Sequence, residues 1–286
     1  MTEVSIRTVH DVAGIGEVAD LFSDVWQTPR SNPPYPAEVL HSLVHAGGAV
    51  HAAYDGTRLA GAAVAVFGEP GRQDTYSLVA AADRGVGYAV KQAQRAWAVE
   101  RGARTMRWTF DPLVGRNARF NLVKLGATGT EYLVDFYGPM ADGVNDGDES
   151  DRLTVTWDLA APSTPSTPST PSTPSTPSTP STPSTPSTPS TPSAPGETGD
   201  REAAPATHLA PDDAFLARRD TSDRHIWCRV PDDVVKLRAS DPVLALRWRH
   251  AVRAVFTEAF AEGYVATGMS RDGWYTLTRP TTEGAS

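Results

Sequence analysis

Cysteine is nearly absent from the sequence, since Cys228 is the only one in 286 residues. A single thiol excludes an intramolecular disulfide and fits a reducing compartment. Long apolar runs are missing as well, because none approaches the roughly 20 residues that a membrane-spanning helix requires. The first residues, "MTEVSIRTVHDVAG", lack the charged start and apolar stretch of a signal peptide. We therefore expect a cytoplasmic protein without a membrane partner.

Basic residues are scarce relative to acidic ones. The chain has 26 lysines and arginines against 34 aspartates and glutamates, and it shows no basic stripe of the kind that binds nucleic acid. The seven histidines are scattered, and His41 and His45 are the only pair with helical i,i+4 spacing. Without a nearby third ligand, this pair predicts ordinary helix residues. We expect neither a nucleic-acid partner nor a bound metal.

A low-complexity tract divides the chain. It consists of ten Ser-Thr-Pro triplets from Ser163 to Pro192. Proline at every third position fixes φ and removes backbone donors, so the tract favours an extended, polyproline-II-like spacer. It is either a phosphorylated or glycosylated stalk, or a repeat that expanded within a loop where added length costs little stability. We predict a disordered Pro-rich linker at 161–207 between domains at 1–160 and 208–286.

The first segment alternates between strand and helix patterns. Strand alternation in "EVSIRTV" is followed by two helical patterns, "VAGIGEVADLFSDVW" and "YPAEVLHSLVHAGG". A hairpin around Asp55-Gly56 and the strand "DTYSLVAA" precede a long amphipathic helix that begins near Gly85 and Gly87. The strand "ARTMRWTFDP", the helix "GRNARFNLVKLG" and the strands "TEYLVDFYG" and "DRLTVTWDL" complete this segment.

The amphipathic helix has one apolar face and one polar face. The apolar face consists of Val86, Ala89, Val90, Ala93 and Trp97. The polar side chains, which we expect to face solvent, are Lys91, Gln92, Gln94, Arg95 and Arg101.

The segment after the linker has a simpler pattern. "RHIWCRVPDD" predicts a strand, "DPVLALRWRHAVRAVFTEAFAEGY" predicts a long helix, and "GYVATGMSRDGWYTLTRP" predicts a hairpin. Pro242 lies near the helix N-terminus, where proline is tolerated. About 80 residues with so little apolar content would be marginally stable alone. We therefore expect this C-terminal extension to pack on the first segment.

Gly85 and Gly87 stand at the start of the amphipathic helix. A helix N-terminus leaves backbone N–H groups unpaired and carries partial positive charge, and glycine lets an anion approach closely. The loop is therefore either a phosphate-binding loop, with Arg84 adding charge, or a turn that only meets a backbone requirement. The third glycine of a dinucleotide fingerprint is replaced by Val90, and no Gly-Lys-Ser/Thr follows. Neither nucleotide motif fits.

Several longer motifs resemble the GNAT N-acyltransferase superfamily. They are "GVGYAVKQAQRAWAVERG", "WTFDPLVGRNARFNLVKLGA", "DFYG" and "DRLTVTWDL", and they are similar to one bacterial branch of predicted acyltransferases. The resemblance covers residues 1–159, and the C-terminal extension is similar to that of the same branch. It implies an α+β (α/β GNAT-like) fold with a central mixed, mostly antiparallel sheet flanked by helices.

The resemblance implies acetyl-CoA or another acyl-CoA as the co-substrate. The superfamily signature, Gln/Arg-x-x-Gly-x-Gly/Ala, aligns with residues 82–87. The loop residues that would contact the cofactor are Arg84, Gly85, Val86, Gly87 and Tyr88. Asn117 and Asn121, four apart on one helix face, would contact the cofactor or acceptor, or else serve in capping and packing.

The sequence departs from the branch just before the glycines. Tyr76 and Leu78 stand where the branch has histidines around Ser77, about five residues are missing, and Ala82 replaces the leading Gln or Arg. Many GNAT enzymes use a tyrosine as the acid at the position of Leu122. These departures support an alternative, a catalytically impaired GNAT-like protein that binds a ligand or partner. In a third, purely structural interpretation, the Ser-Thr-Pro tract spaces two interaction modules.

Acyl transfer to an amine needs a polarised thioester carbonyl, a group that takes the ammonium proton and a proton for the leaving thiolate. Asp111, at the end of "MRWTFD", is a candidate base or substrate ligand, or a cap of the Asp-Pro turn. Tyr137 in "DFYG" is a candidate acid, or a structural tyrosine in a half-buried strand. We predict an N-acyltransferase that acts on a small amine or amino acid.

Overall fold

The computed structural model describes residues 4–69, 71–145, 147–161 and 206–280. The Ser-Thr-Pro tract lies outside the described residues. The linker and the domain boundaries on either side of it therefore stay predictions.

Twelve strands form one continuous sheet in the described part of the chain. They are β1 (Val4–Val9), β2 (Ala49–Asp55), β3 (Arg58–Phe67), β4 (Asp74–Ala82), β5 (Thr105–Phe110), β6 (Thr128–Leu133), β7 (Arg152–Asp158), β8 (Ala206–Leu209), β9 (Phe215–Arg219), β10 (His225–Arg229), β11 (Val265–Met269) and β12 (Trp274–Thr278). Their order in the sheet is β1-β2-β3-β4-β5-β7-β6-β11-β12-β10-β9-β8. Only β4 and β5 pair in parallel, and the other neighbouring pairs are antiparallel.

Helices flank this sheet, which confirms the predicted mixed sheet with flanking helices. The described helices are α1 (Val12–Trp26), α2 (Ala37–His45), α3 (Gly87–Glu100), α4 (Gly115–Ala118), α5 (Val234–Ser240) and α6 (Pro242–Ala261). A π-helical turn, Arg119–Lys124, directly follows α4.

The first three helices are divided between the two faces of the sheet. Successive residues of a strand point to opposite faces. On β3, Ala62 and Val64 pack in the cluster that contains Phe22 of α1, whereas Ala63 packs in the cluster that contains Val90 of α3. The helices α1 and α2 therefore cover one face, and α3 covers the other.

The C-terminal extension continues the same sheet through β6 and β11. The two strands pair at Gly129 and Ala266, and a Cβ on Gly129 would lie 2.8 Å from the Cβ of Ala266. Any side chain at position 129 would force the two strands apart. The Tyr275 hydroxyl of β12 also donates a 2.8 Å hydrogen bond to the Pro112 carbonyl oxygen. These contacts hold the extension against the first segment.

Four buried charged residues, which we call the ion cluster, cross this junction. Asp111 follows β5, Asp148 lies in the loop before β7, and Arg238 and Arg249 come from α5 and α6. Arg249 Nη2 lies 3.0 Å from Asp111 Oδ2 and 2.6 Å from Asp148 Oδ2. Arg238 Nη2 lies 3.0 Å and 2.8 Å from the same two oxygens. Each buried charge has opposite charges within hydrogen-bonding distance, as its burial requires.

Some elements differ from the sequence-based predictions. The strands β8 and β9 and the helix α5 were not predicted. The strand predicted over "TEYLVDFYG" ends at Leu133, because Asp135 adopts a φ of 45°. The Asp135 carboxylate accepts hydrogen bonds from Ser150 N and Oγ, which stabilise the turn. Tyr137 therefore lies in a turn and not in a half-buried strand.

The ion cluster yields a stability prediction. Replacing Arg249 by alanine leaves Asp111 and Asp148 buried with Arg238 as their remaining arginine partner in the cluster. Removing one partner of a buried ion pair typically costs about 3–5 kcal/mol. We expect Arg249→Ala to lower the free energy of unfolding in urea by an amount in that range. Arg247→Ala, on the exposed face of the same helix, is the control and should change it by no more than about 0.5 kcal/mol. Equal effects of the two variants would contradict the prediction.

Candidate functional site

The strands β4 and β5 diverge after a short parallel pairing. Their paired residues are Asp74–Thr105, Thr75–Met106 and Tyr76–Arg107. Beyond these pairs β4 continues to Ala82 and β5 to Phe110, with no further pairing between them. We call the gap between residues 77–82 and 108–110 the fork. The facing edges of the fork carry backbone N–H and C=O groups that lack a ladder partner from the opposite strand.

A β-bulge lies on the β4 side of the fork. Ser77 pairs with Ala65 and Val79 with Val64 on β3, which leaves Leu78 as an extra residue. A bulge bends its strand and increases the local twist. The bulge therefore supplies a local reason for β4 to turn away from β5 at this point.

The glycine loop lies at the open end of the fork, directly after β4. Gly85 adopts a φ of 94°, which a residue with a Cβ rarely adopts. Val86 N donates to the Asp83 carbonyl oxygen and closes a turn. Arg84 in this turn is exposed. The glycine at position 85 therefore meets a backbone requirement of the loop.

The N-terminus of α3 is uncapped. The helix begins at Gly87, no side chain caps it, and its first internal hydrogen bond runs from Val90 N to the Val86 carbonyl oxygen. The N–H groups of Gly87, Tyr88 and Ala89 thus have no helical acceptor. They point out of the helix end and carry its partial positive charge. This end of the helix is suited to bind an anion.

The surroundings of Gly87 leave its backbone accessible. A Cβ at this position would have Phe120 Cζ at 3.7 Å and the Ala82 Cβ at 3.8 Å, which is ordinary contact. The ammonium of Lys124 lies 5.0 Å from the ring centre of Tyr88. The positive charge of Lys124 therefore adds to the partial positive charge of the uncapped helix end.

The helix after β5 differs from the prediction. It passes from α4 into a π-helical turn, in which Leu125 N donates to the Phe120 carbonyl oxygen. In a π-helix, residues four apart no longer align. Asn117 is exposed, whereas Asn121 is buried and its Oδ1 accepts a 3.2 Å hydrogen bond from Trp108 Nε1. The two asparagines do not share one face.

Lys91 lies at the closed end of the fork, contrary to the expectation that it faces solvent. It is 4% exposed, and its Nζ donates a 2.7 Å hydrogen bond to Ser77 Oγ. The same Nζ lies 3.9 Å from the ring centre of Trp108. Ser77 in turn donates to Gln94 Oε1, and Gln94 is fully buried. Ser77 and Trp108 are the first residues beyond the paired part of the two strands, so α3 contributes a buried ammonium where the strands separate.

Burial lowers the pKa of Lys91 from 10.5 to about 7. No carboxylate of the described residues forms an ion pair with it, so its contacts are a hydroxyl and an aromatic ring. The amine is therefore able to gain or lose a proton near neutral pH. The position of Lys91 on the helix did not predict its burial, because a lysine can also direct its ammonium to solvent along an apolar face.

The opposite face of the fork carries tyrosines and arginines. Burial raises the pKa of Tyr35 to about 12, and the nearby charge of Arg152 opposes that rise. Burial also raises the pKa of Tyr76, which lies within electrostatic reach of Arg107, Tyr137 and Arg152. The guanidinium of Arg152 is 5.1 Å from the ring centre of Tyr137. Tyr35, Tyr76, Tyr137 and Arg152 form what we call the tyrosine face.

Asp111 lies in the ion cluster. Burial alone would raise its pKa, but the charge and hydrogen bonds of Arg249, with the charges of Arg152 and Arg238, hold that pKa below its usual value. Its Oδ1 also accepts a 3.0 Å hydrogen bond from Leu113 N. Of the roles considered for Asp111, this geometry favours capping of the Asp-Pro turn. The same carboxylate also forms the ion pairs of the cluster.

Five of the predicted cofactor residues lie together at the open end of the fork: Arg84, Gly85, Val86, Gly87 and Tyr88. Asn121 lies against Trp108 at the closed end of the fork. Asp111 lies in the ion cluster, Tyr137 lies against Arg152, and Asn117 is exposed on α4. A cavity of about 630 Å³ borders the C-terminal half of α3, among Arg7, His51 and Trp97. It contains none of the predicted site residues.

Among the described residues, no group of three or more His, Cys, Asp or Glu side chains is arranged to hold a metal ion. In the same part of the chain, no helix is long and apolar enough to cross a bilayer.

No family model matches the sequence, and no curated protein matches it. Among solved structures, the chain is similar to an N-acetyltransferase from Staphylococcus aureus Mu50, with 13% identity, coverage of 55% of this chain and 99% of that chain, and a TM-score of 0.45. It is also similar to a GNAT superfamily phosphinothricin acetyltransferase from Sinorhizobium meliloti in complex with AcCoA, with 16% identity, coverage of 58% and 95%, and a TM-score of 0.45. An acetyltransferase of the GNAT family from Streptococcus pneumoniae gives 13% identity, coverage of 54% and 98%, and a TM-score of 0.42. Because identity and TM-score are this low, we derive the chemistry from this chain's own residues.

The buried amine of Lys91 makes stability depend on pH. Between pH 7 and 10.5 the unfolded chain holds a proton at Lys91 that the folded chain has lost, so the stability of the wild type rises with pH across this window. Below pH 7 both states are protonated and the full cost of burying the ammonium is present. We expect Lys91→Met to be more stable than the wild type below pH 7. Its advantage should shrink by an amount on the order of 4 kcal/mol toward pH 10.5.

Urea unfolding at several pH values measures this difference. Lys236→Met, at an exposed site on α5, is the control and should show no such pH dependence. A difference between Lys91→Met and the wild type that stays constant from pH 6 to 10 would contradict the prediction.

Proposed function

We propose that the protein is an acyl-CoA-dependent N-acyltransferase that transfers an acetyl or other short acyl group directly to a small amine or amino acid. The observation that carries the proposal is the uncapped N-terminus of α3 at the open end of the fork. A helix end with unpaired N–H groups and a close-lying cation suits a pyrophosphate. The resemblance of "WTFDPLVGRNARFNLVKLGA" to acyltransferases supports the same assignment.

The fork suits the arm that follows the pyrophosphate in CoA. The pantetheine arm contains two amides, and the facing edges of β4 and β5 offer unpaired N–H and C=O groups to such amides. A thioester deep in the fork would lie near the bulge at Leu78. Backbone N–H groups there are suited to stabilise the negative charge that develops on the thioester oxygen.

The acceptor amine would approach from the tyrosine face. Among the predicted catalytic residues, Tyr137 is 49% exposed and lies on this face, so it stays our candidate proton donor. Asp111 has its oxygens engaged by Arg238, Arg249 and Leu113 N, and we assign it a positioning role for the loop after β5. The ammonium proton would then pass to water.

A second candidate function is binding of acyl-CoA without turnover. It is favoured by the engagement of Asp111 in ion pairs and by Leu122 at the position where many GNAT enzymes have an acidic tyrosine. Such a protein would keep the loop and the fork but release no thiol. The same experiment separates the two functions.

Thermal unfolding with acetyl-CoA and succinyl-CoA tests the proposal. A ligand at about 100 times its dissociation constant raises the free energy of unfolding by about 2.7 kcal/mol, so we expect an increased Tm. Release of free thiol with a panel of amines would establish transfer, and a Tm increase without thiol release would establish binding without turnover. The absence of any Tm increase would overturn both functions.

Gly87→Asp tests the pyrophosphate site. An aspartate in the first turn of a helix stabilises that helix, and the added Cβ makes only ordinary contacts, so the variant should fold. Its carboxylate would repel the pyrophosphate, and we expect acetyl-CoA to bind at least about tenfold more weakly by titration calorimetry, or about 1.4 kcal/mol.

Gly16→Asp is the matched control for this variant. Its Cβ would have no neighbour within 4 Å, and it lies on α1, across the sheet from α3. It should leave the affinity for acetyl-CoA unchanged. Unchanged affinity in Gly87→Asp as well would show that the pyrophosphate does not bind at this helix end.

A further inference from the structure

Arg152 is a buried cation without a carboxylate partner. It is 7% exposed, and no carboxylate of the described residues lies within ion-pairing distance of it. Its Nη1 donates a 2.8 Å hydrogen bond to the Asp151 backbone oxygen, and its Nη2 contacts Met140 Sδ at 3.1 Å. A guanidinium has five N–H donors, and a thioether sulfur is a weak acceptor. A buried charge with such partners is costly unless a further group compensates it.

The charge of Asp111 acts on Arg152 through space, but neither Asp111 nor Asp151 forms an ion pair with it, because other groups engage both carboxylates. Asp111 binds Arg238 and Arg249 in the ion cluster. The two oxygens of Asp151 bind Arg253 at 2.7 Å and 2.9 Å. They also accept hydrogen bonds from the Tyr132 hydroxyl and from a backbone N–H. The fold therefore pairs these carboxylates and leaves Arg152, at the start of the inner strand β7, without a carboxylate partner among the described residues.

Arg107, a second arginine within electrostatic reach of Tyr76, is already paired. Arg107 Nη2 lies 2.5 Å from Asp74 Oδ2. Arg152, in contrast, has aromatic neighbours, with Tyr137 against its guanidinium and Tyr35 and Tyr76 within electrostatic reach. An arginine that remains unpaired among tyrosines offers a fixed positive charge to an anionic ligand.

We propose that Arg152 binds the carboxylate of the acceptor, so that the substrate is an amino acid or another primary amine that carries a carboxylate. This inference rests on the proposed function and specifies its acceptor. The planar guanidinium can donate two parallel hydrogen bonds to a carboxylate. The amine of the same molecule would then point toward the fork, where the thioester lies.

Arg152 also discriminates between substrates. A site that pairs a buried polar group with the substrate rejects an analogue that lacks the matching group, because the protein group is then left unpaired. A neutral amide or a decarboxylated amine of equal size should therefore be a poor acceptor. We expect at least a tenfold preference in kcat/KM for the carboxylate.

The test uses matched sets of acceptors with the full-length protein. Each set holds an L-amino acid, its primary amide and its decarboxylated amine, such as phenylalanine, phenylalaninamide and phenethylamine. Thiol release from acetyl-CoA gives kcat/KM, and the change in Tm on adding each compound, with and without acetyl-CoA, gives binding. The amino acids should be preferred in both measurements.

Two variants assign the preference to Arg152. In Arg152→Met the side chain keeps an apolar stem and loses its charge. The ratio of kcat/KM for the amino acid to kcat/KM for its amide or amine should therefore fall toward one, while acetyl-CoA still raises the Tm. Arg152→Lys keeps the charge without the planar guanidinium and should retain part of the preference. Arg247→Met, at an exposed position on α6, is the control and should retain all of it.

The outcomes separate this inference from the proposed function. If acetyl-CoA raises the Tm but amino acids, amides and amines act equally, the Arg152 assignment is wrong and the acyltransferase proposal stands. If acetyl-CoA has no effect but amino acids alone raise the Tm in an Arg152-dependent way, the acyltransferase proposal is wrong and the carboxylate site stands. If no amino acid raises the Tm in either condition, the carboxylate site is overturned.

Discussion

The pairing of two buried aspartates with two buried arginines is the constraint on which the rest of the structure depends. Asp111 follows the strand that forms one side of the fork, and Asp148 precedes β7. Arg238 and Arg249, which neutralise them, come from the C-terminal extension. Because a buried charge cannot remain unpaired without a large cost in free energy, the extension is needed to hold the loop after β5 and the loop before β7. These two loops are therefore held by residues that lie 90 to 138 positions away in sequence.

The two faces of the sheet at the fork provide two distinct environments. On one face, α3 places Lys91 against Ser77 and Trp108, where the low polarity favours the neutral amine. On the other face, the guanidinium of Arg152 lies against the ring of Tyr137. A thioester in the fork would lie between these two environments.

Much of the fold could be predicted from local patterns. The hairpin at Asp55-Gly56, the long helix after Pro242 and the uncapped glycine-led helix follow from turn chemistry and helical spacing. The burial of Lys91 and Gln94 could not be predicted, because their position on α3 leaves open whether a long polar side chain extends to solvent. The π-helical turn also escaped prediction, and with it the separation of Asn117 from Asn121, since a shift from i,i+4 to i,i+5 bonding leaves no mark on residue type. The turn at Asp135 depends on hydrogen bonds to Ser150, which only the folded chain brings close.

The sequence by itself determined most of the strands and helices and the position of the glycine loop, because each depends on neighbours within a few residues. The mixed sheet with flanking helices was implied by the resemblance, since strand pairing joins distant parts of the chain. Only the tertiary structure decided which charged side chains find partners. Asp111 was a candidate base in the sequence but lies in an ion cluster. Arg152 was not a candidate, yet it lies against Tyr137 without a carboxylate partner among the described residues. The physical reason is that the state of a buried charge depends on the groups that surround it in space, and these come from distant parts of the chain.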